Sequence, residues 1–266
     1  MKKLYLMLLL LPLVAQAQQD TTEKKNEFSG SINYQSRLHY FGRTDSARSS
    51  GLFPLLGYTF KNGIYGQLTA VFVKNPSTPY NYTGGSAEAG YRFEGKKFEG
   101  NLFVSKFFYS EESPLVQSAL KAQTGLNLSL KNKYVNLNGG VDLKFSDQTD
   151  FGVTLGLDHL FAMPIKGWDN SAIAIMPSAT LNAGTQRFTN SYIKRGNFLG
   201  IPMSQEKTEQ VEKFSVLAYE FSAPLVLVSG KFNGYVIPSF VVPQNLMDEE
   251  QGEPMFYVTL GLGFRL

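Results

Sequence analysis

The chain has 266 residues with no cysteine, 25 Lys and Arg against 22 Asp and Glu, and 14% aromatic residues, of which 21 are Phe and 14 Tyr. The missing cysteine excludes disulfides, thiolate chemistry and a lipid anchor on an N-terminal Cys, and the near balance of charge gives no footprint for nucleic acid. Charged residues make up 18% of the chain, below the roughly 25% of an ordinary soluble domain, so few charges with many Phe and Tyr fit a surface that meets lipid.

Met1-Lys2-Lys3 is a basic head, Leu4 to Ala15 is apolar apart from Pro12, and Ala15-Gln16-Ala17 carries small residues where a signal peptidase reads. This pattern predicts a secretory signal peptide over 1–17, cleaved after Ala17. The apolar stretch is shorter than the about 20 residues of a membrane-spanning helix, and no later run approaches that length. Losing Lys2 and Lys3 leaves 23 basic residues against 22 acidic ones. Residues 18–27 are polar and read as a flexible leader, and residues 28–266 as one domain.

From Phe28 the chain alternates with a period of two, placing successive side chains on opposite faces of a strand. Phe28, Gly30, Ile32, Tyr34, Leu38 and Tyr40 fall on one face; Ser29, Ser31, Asn33, Gln35, Arg37 and His39 fall on the other. The clearest hairpin lies mid-chain. Leu120 through Leu130 alternates with Lys121, Gln123, Gly125, Asn127, Ser129 and Lys131, and after a tight turn Val135 to Phe145 does the same. Strands are predicted at 27–41, 48–60, 63–74, 80–94, 97–109, 114–131, 133–146, 149–162, 170–188, 209–221, 225–242 and 255–266. That is about twelve, an even number, as single-chain bacterial barrels have. Short inner turns are expected at 61–63, 94–97, 131–133, 162–169 and 222–224, with Trp168 at headgroup level. Longer outer loops are expected near 42–47, 75–79, 110–113, 147–148, 189–208 and 243–254.

The polar face carries mostly Asn, Gln, Ser, Thr, Gly and Tyr with scattered charge, which suits an enclosed, hydrated lumen better than a surface in bulk water. The apolar faces match the 9–11 residues of a tilted spanning strand. A sheet in hydrocarbon must close so that no backbone edge is left unpaired, so the first strand is expected to pair with the last. The fold class is therefore all-β, a closed antiparallel up-and-down transmembrane barrel.

In the last stretch, Phe256, Val258, Leu260, Leu262, Phe264 and Leu266 share one face, and Tyr257, Thr259, Gly261, Gly263 and Arg265 the other. Here the sequence resembles the outer-membrane β-barrel proteins of Gram-negative bacteria, although Leu266 ends the chain and the aromatic Phe264 sits two places earlier. The resemblance implies an outer-membrane location and contact with bilayer and lipopolysaccharide. It also implies recognition of the last strand by the barrel-assembly machinery. An envelope protein partner fits the class as well.

Candidate chemistry is sparse. His39 is expected at the rim of the lumen, and the His-x-Ser-Asn-Gly pattern of outer-membrane phospholipases is absent. Asp158 and His159, being adjacent, point to opposite faces. Asp248, Glu249, Glu250 and Glu253 crowd one loop but form no Asp-x-Asp-x-Asp-Gly site. No cofactor or metal is implied. What remains is the lumen, where the strand phase turns Arg37, Glu88, Arg92, Glu99, Lys121, Asp142, Lys144, Asp158, Lys231 and Arg265 inward. Tyr192, Lys194, Arg195 and Phe198 could fold in as a constriction loop. The expected function is a narrow channel for small polar or charged solutes. A plugged structural barrel in an envelope complex is the alternative, and a lipid- or peptide-hydrolysing enzyme a third reading.

Overall fold

The computed structural model describes residues 25–44, 48–110, 120–146, 148–168, 170–185, 213–246 and 252–266. The chain runs through β1 (Glu27–Gln35), the short β2 (His39–Tyr40) and β3 (Arg43–Thr44), β4 (Ser50–Thr59), β5 (Ile64–Asn75), β6 (Thr78–Glu94), β7 (Phe98–Tyr109), β8 (Ala122–Leu130) and β9 (Asn136–Phe145). It continues through β10 (Thr149–Asp158), β11 (Phe161–Pro164), β12 (Ser171–Ile175), β13 (Ser178–Gly184), β14 (Ser215–Ser222), β15 (Leu225–Ser229), β16 (Phe232–Pro243) and β17 (Met255–Arg265).

Neighbours in the sheet follow the ring β1, β4, β5, β6, β7, β8, β9, β10, β13, β14, β16, β17, and β17 returns to β1. The result is a closed antiparallel barrel of 12 strands. At the seam Ser29 lies opposite Arg265 and Gln35 opposite Thr259, and Phe28 and Leu266 exchange backbone bonds of 3.1 and 2.8 Å.

The alternation puts apolar residues outside and polar ones inside, as a lipid-facing barrel requires. Leu68 is 63% and Leu262 74% exposed, whereas Asn33 and Asn182 are each 2% exposed. Leu137 and Leu260 also stand on the exposed exterior. A water-soluble barrel would show the reverse.

Three wall strands are interrupted. β10 continues as β11, β12 as β13 and β14 as β15, with gaps at 159–160, 176–177 and 223–224. The His159 N–H donates to the Pro177 carbonyl at 3.2 Å, Met176 to Pro224 at 3.0 Å, and Ala223 to Pro238 at 3.1 Å. Proline has no N–H to return, so each crossing keeps one bond of a ladder pair and the three form a crease across adjacent strands.

Several boundaries differ from the sequence expectation. The first strand ends at Gln35 instead of residue 41, because the chain then turns into the barrel. The turn expected at 222–224 is a kink inside a wall strand; the chain reverses at Gly230-Lys231, between β15 and β16. Gly230 has a φ of 56°, which glycine supplies at little cost, while Pro224 only interrupts the ladder. Of the strand expected at 114–131, residues 114–119 lie outside the described residues, and β8 begins at Ala122.

Candidate functional site

The connection between β1 and β4 does not arch away from the barrel. It enters it. Ser36 first exchanges bonds with Val258 on β17, its N–H donating to the carbonyl at 2.9 Å and its hydroxyl accepting the Val258 N–H at 2.9 Å. Leu38 then packs with Phe53, Val71 and Val73 on one side of the lumen. Tyr40 packs against Leu120 together with Phe107 on a second side. Phe41 meets the cluster of Ala218, Val241, Met255 and Tyr257 on a third. One short segment touching three sectors of the wall spans the lumen.

Local chemistry explains the shape. Phe41 and Gly42 have φ values of 50° and 78°, the positive pair that a tight two-residue hairpin uses. Gly42 lies against Pro243, where an added Cβ would stand 2.9 Å from the ring. Arg43, 5% exposed, anchors the hairpin. Its guanidinium donates to the carbonyls of Leu217 at 3.1 Å, Gln244 at 3.1 Å and Asn245 at 3.5 Å.

His39 is fully buried, its ring edge-on to Tyr257 with centroids 4.4 Å apart. The Gly42 N–H donates to Nδ1 at 3.2 Å, so in the neutral ring the proton sits on Nε2. Burial, with the Arg37 guanidinium behind it, pulls the His39 pKa down to about 4.

Beyond the hairpin lies an interior cavity of about 270 Å³. Its walls are hydrogen-bonding side chains set among aromatic rings. Of the residues expected to face the lumen, Arg92, Glu99, Asp142, Lys144 and Asp158 line this cavity. Arg92 sits 4.3 Å over the Tyr65 ring. Glu99 pairs with Lys131 at 2.7 Å, and Lys131 also holds Glu94 at 2.9 Å. Lys144 pairs with Asp142. Asp158 accepts from the amides of Asn136, at 2.8 Å, and Asn138. Glu88 is built into the wall, accepting from Tyr65 at 2.8 Å, Gln67 at 3.1 Å and Ser105 at 2.7 Å.

The other four stand elsewhere. Lys121 is exposed ahead of β8, because Leu120 turns inward onto Tyr40 and shifts the alternation by one. Lys231 is exposed in the two-residue turn. Arg37 belongs to the inserted connection, 4.0 Å from Glu253, and Arg265 ends β17, 4.0 Å from Glu27. Tyr192, Lys194, Arg195 and Phe198 lie outside the described residues, as do Asp248, Glu249 and Glu250. Among the described residues, the segment that narrows the lumen is the first connection.

Several inner-facing glycines make room for a neighbour. A Cβ on Gly261 would fall on the Tyr235 ring, whose hydroxyl donates to Asn33 Oδ1. A Cβ on Gly140 would meet Asn127 Oδ1, and one on Gly152 would meet Asp142.

No family model matches the chain, and no curated protein does. Among solved structures it is similar to the NanC porin, at 9% identity over 90% of this chain and 100% of that one, with a TM-score of 0.49. It is also similar to an outer-membrane channel from Pseudomonas putida F1, at 11% identity over 94% and 100%, TM-score 0.47. LpxR from Salmonella typhimurium gives 11% identity over 89% and 99%, TM-score 0.45. The likeness is one of general shape.

Proposed function

We propose that the protein is a bacterial outer-membrane channel passing small polar solutes, with residues 36–44 as its constriction. The observation that carries this reading is the cavity of about 270 Å³ lined with amides, hydroxyls and charges of both signs. Small eight-stranded barrels fill their interiors with side chains; twelve strands here leave space, with polar side chains set in a largely apolar lining. The carboxylates at the cavity, Glu99, Asp142, Asp158 and Glu220, outnumber its cations, Arg92 and Lys144, so the path favours cations over anions.

Purified, folded protein in a planar lipid bilayer tests the reading. Discrete conductance steps with cation preference are expected; no steps from wild type or from a variant with a released hairpin removes the channel. A second reading, a plugged barrel, draws on the depth of the Arg43 anchor. It predicts a silent wild type and conductance only after Arg43 is replaced.

A further inference from the structure

Among the described residues, four buried side-chain atoms have no hydrogen-bond partner; besides Arg92 Nε these are His39 Nε2, Asn182 Nδ2 and Glu220 Oε2. The last three residues are at most 4% exposed, and all three line the same cavity. Buried polar groups are satisfied almost everywhere in folded proteins, and exceptions cluster where something else supplies the partner.

The surroundings fix what each atom offers. With Gly42 donating to Nδ1, His39 Nε2 is a donor. Asn182 Oδ1 accepts from the Thr154 hydroxyl at 3.1 Å, which leaves the Nδ2 group as a donor. Glu220 Oε1 accepts from the Tyr257 hydroxyl at 2.7 Å, which leaves Oε2 as an acceptor. Glu220 lies opposite Thr180, and Asn182 opposite Ala218, so the two are diagonal neighbours on the inner face of β13 and β14, within one small ligand's reach. His39 rests on Tyr257, and Tyr257 on Glu220, which carries the set across to β17.

We infer that this corner of the cavity binds a neutral polyhydroxylated solute of about one sugar ring. A hydroxyl both donates and accepts, so adjacent hydroxyls satisfy two donors and one acceptor without bringing net charge. An anion would meet Glu220 and a cation the two N–H groups. The Tyr257 ring lines the cavity beside Glu220, and an aromatic face carries the negative quadrupole that attracts the C–H face of a sugar ring. The whole cavity, about 270 Å³, lies near the low end of small-molecule sites, roughly 300 Å³, which limits a ligand in one corner of it to about a single ring. Calling that ligand a passing solute rests on the channel reading; the site itself does not.

Titration calorimetry with glucose on the folded protein in lauryldimethylamine oxide, a detergent with no sugar headgroup, tests the site. Serine and potassium chloride serve as zwitterionic and ionic comparisons. Glucose is expected to bind, with the isosteric Glu220→Gln and Asn182→Asp each weakening it at least tenfold and Lys231→Gln leaving it unchanged. Heat-modifiable migration on gels verifies that each variant is folded. Binding of serine but not glucose overturns the assignment, as does an absence of heat with every solute. Glucose binding that neither variant alters places the ligand elsewhere and overturns the site. Glucose binding by a protein that conducts no ions leaves the site standing and removes only the channel.

Discussion

The guanidinium of Arg43 reaches the Leu217 carbonyl at 3.1 Å, joining the first connection to a strand 174 residues further along the chain. The same carbonyl accepts the Gln244 N–H at 2.8 Å, so one oxygen ties hairpin, wall and a second loop together. Arg43→Ala removes this tie and leaves the carbonyls of Gln244 and Asn245 without their cation. A hydrogen bond to a charged group contributes about 1.5–3 kcal/mol, and the barrel's own ladders are untouched. The expected result is faster hydrogen exchange across 36–49 and larger conductance steps, with strand protection unchanged. Arg43→Lys, a point charge without the planar fork, should fall between the two.

Acid should loosen the same hairpin. His39 is faced by Arg37 from its own segment and by Tyr257 from β17, with Glu220 beyond the Tyr257 hydroxyl. Its pKa is about 6.5 with the hairpin released and about 4 with it docked. The released state therefore binds the proton more readily. Docking is fully favoured above pH 6.5 and loses support as pH falls toward about 4, by roughly 1.4 kcal/mol per unit. Hydrogen exchange of 36–49, corrected for intrinsic rates, should rise across that window in wild type. It should stay nearly flat in His39→Gln; equal pH dependence in both would remove His39 as the responsive group.

Gly261 and Tyr235 are matched in shape. Gly261→Ala drives a methyl into the Tyr235 ring and displaces the hydroxyl from Asn33. Overpacking of this kind costs about 1–3 kcal/mol. Denaturant unfolding from detergent should register that loss. The double variant with Tyr235→Ala should lose less than the two single losses added together, because the clash is gone.

Charge at the cavity predicts selectivity. Lys144→Gln takes the cation from beside Asp142 and should shift the reversal potential in a salt gradient further toward cations. Asp158→Asn removes a carboxylate from the opposite end and should shift it the other way. Lys121→Glu combined with Lys231→Glu, on exposed residues away from the cavity, should leave it unchanged.

The barrel was readable in the sequence wherever one face meets lipid and the other does not, because that contrast imposes a period of two. The hairpin pair β8 and β9 and the closing strand β17 show it plainly. The alternation misled at Leu38 and Tyr40, which keep the rhythm of β1 but bury themselves inside; lipid and packed lumen both select apolar side chains. Phe41-Gly42 was the available signal of a reversal. Pro224 drew the expected turn toward 222–224, although Gly230-Lys231 was the better reversal and Pro224 only creases a continuous wall. The cavity's polar corner was not legible, since Asn182, Glu220 and His39 are far apart in sequence and share no pattern until the wall curves round. The period of two does turn His39 and Tyr257 inward, but nothing in it brings Asn182 and Glu220 to them.

Because the β1 edge is completed only by β17, two segments separated by nearly the whole chain must find each other before the cylinder exists. A contact of such sequence separation pays its entropy late and makes closure slow. Until then, both open rims expose unpaired amides that hydrocarbon does not tolerate. The growing sheet must therefore be chaperoned at its two margins or sealed as it inserts. Residues 29–35 and 259–265 are where an assembly defect would first be felt.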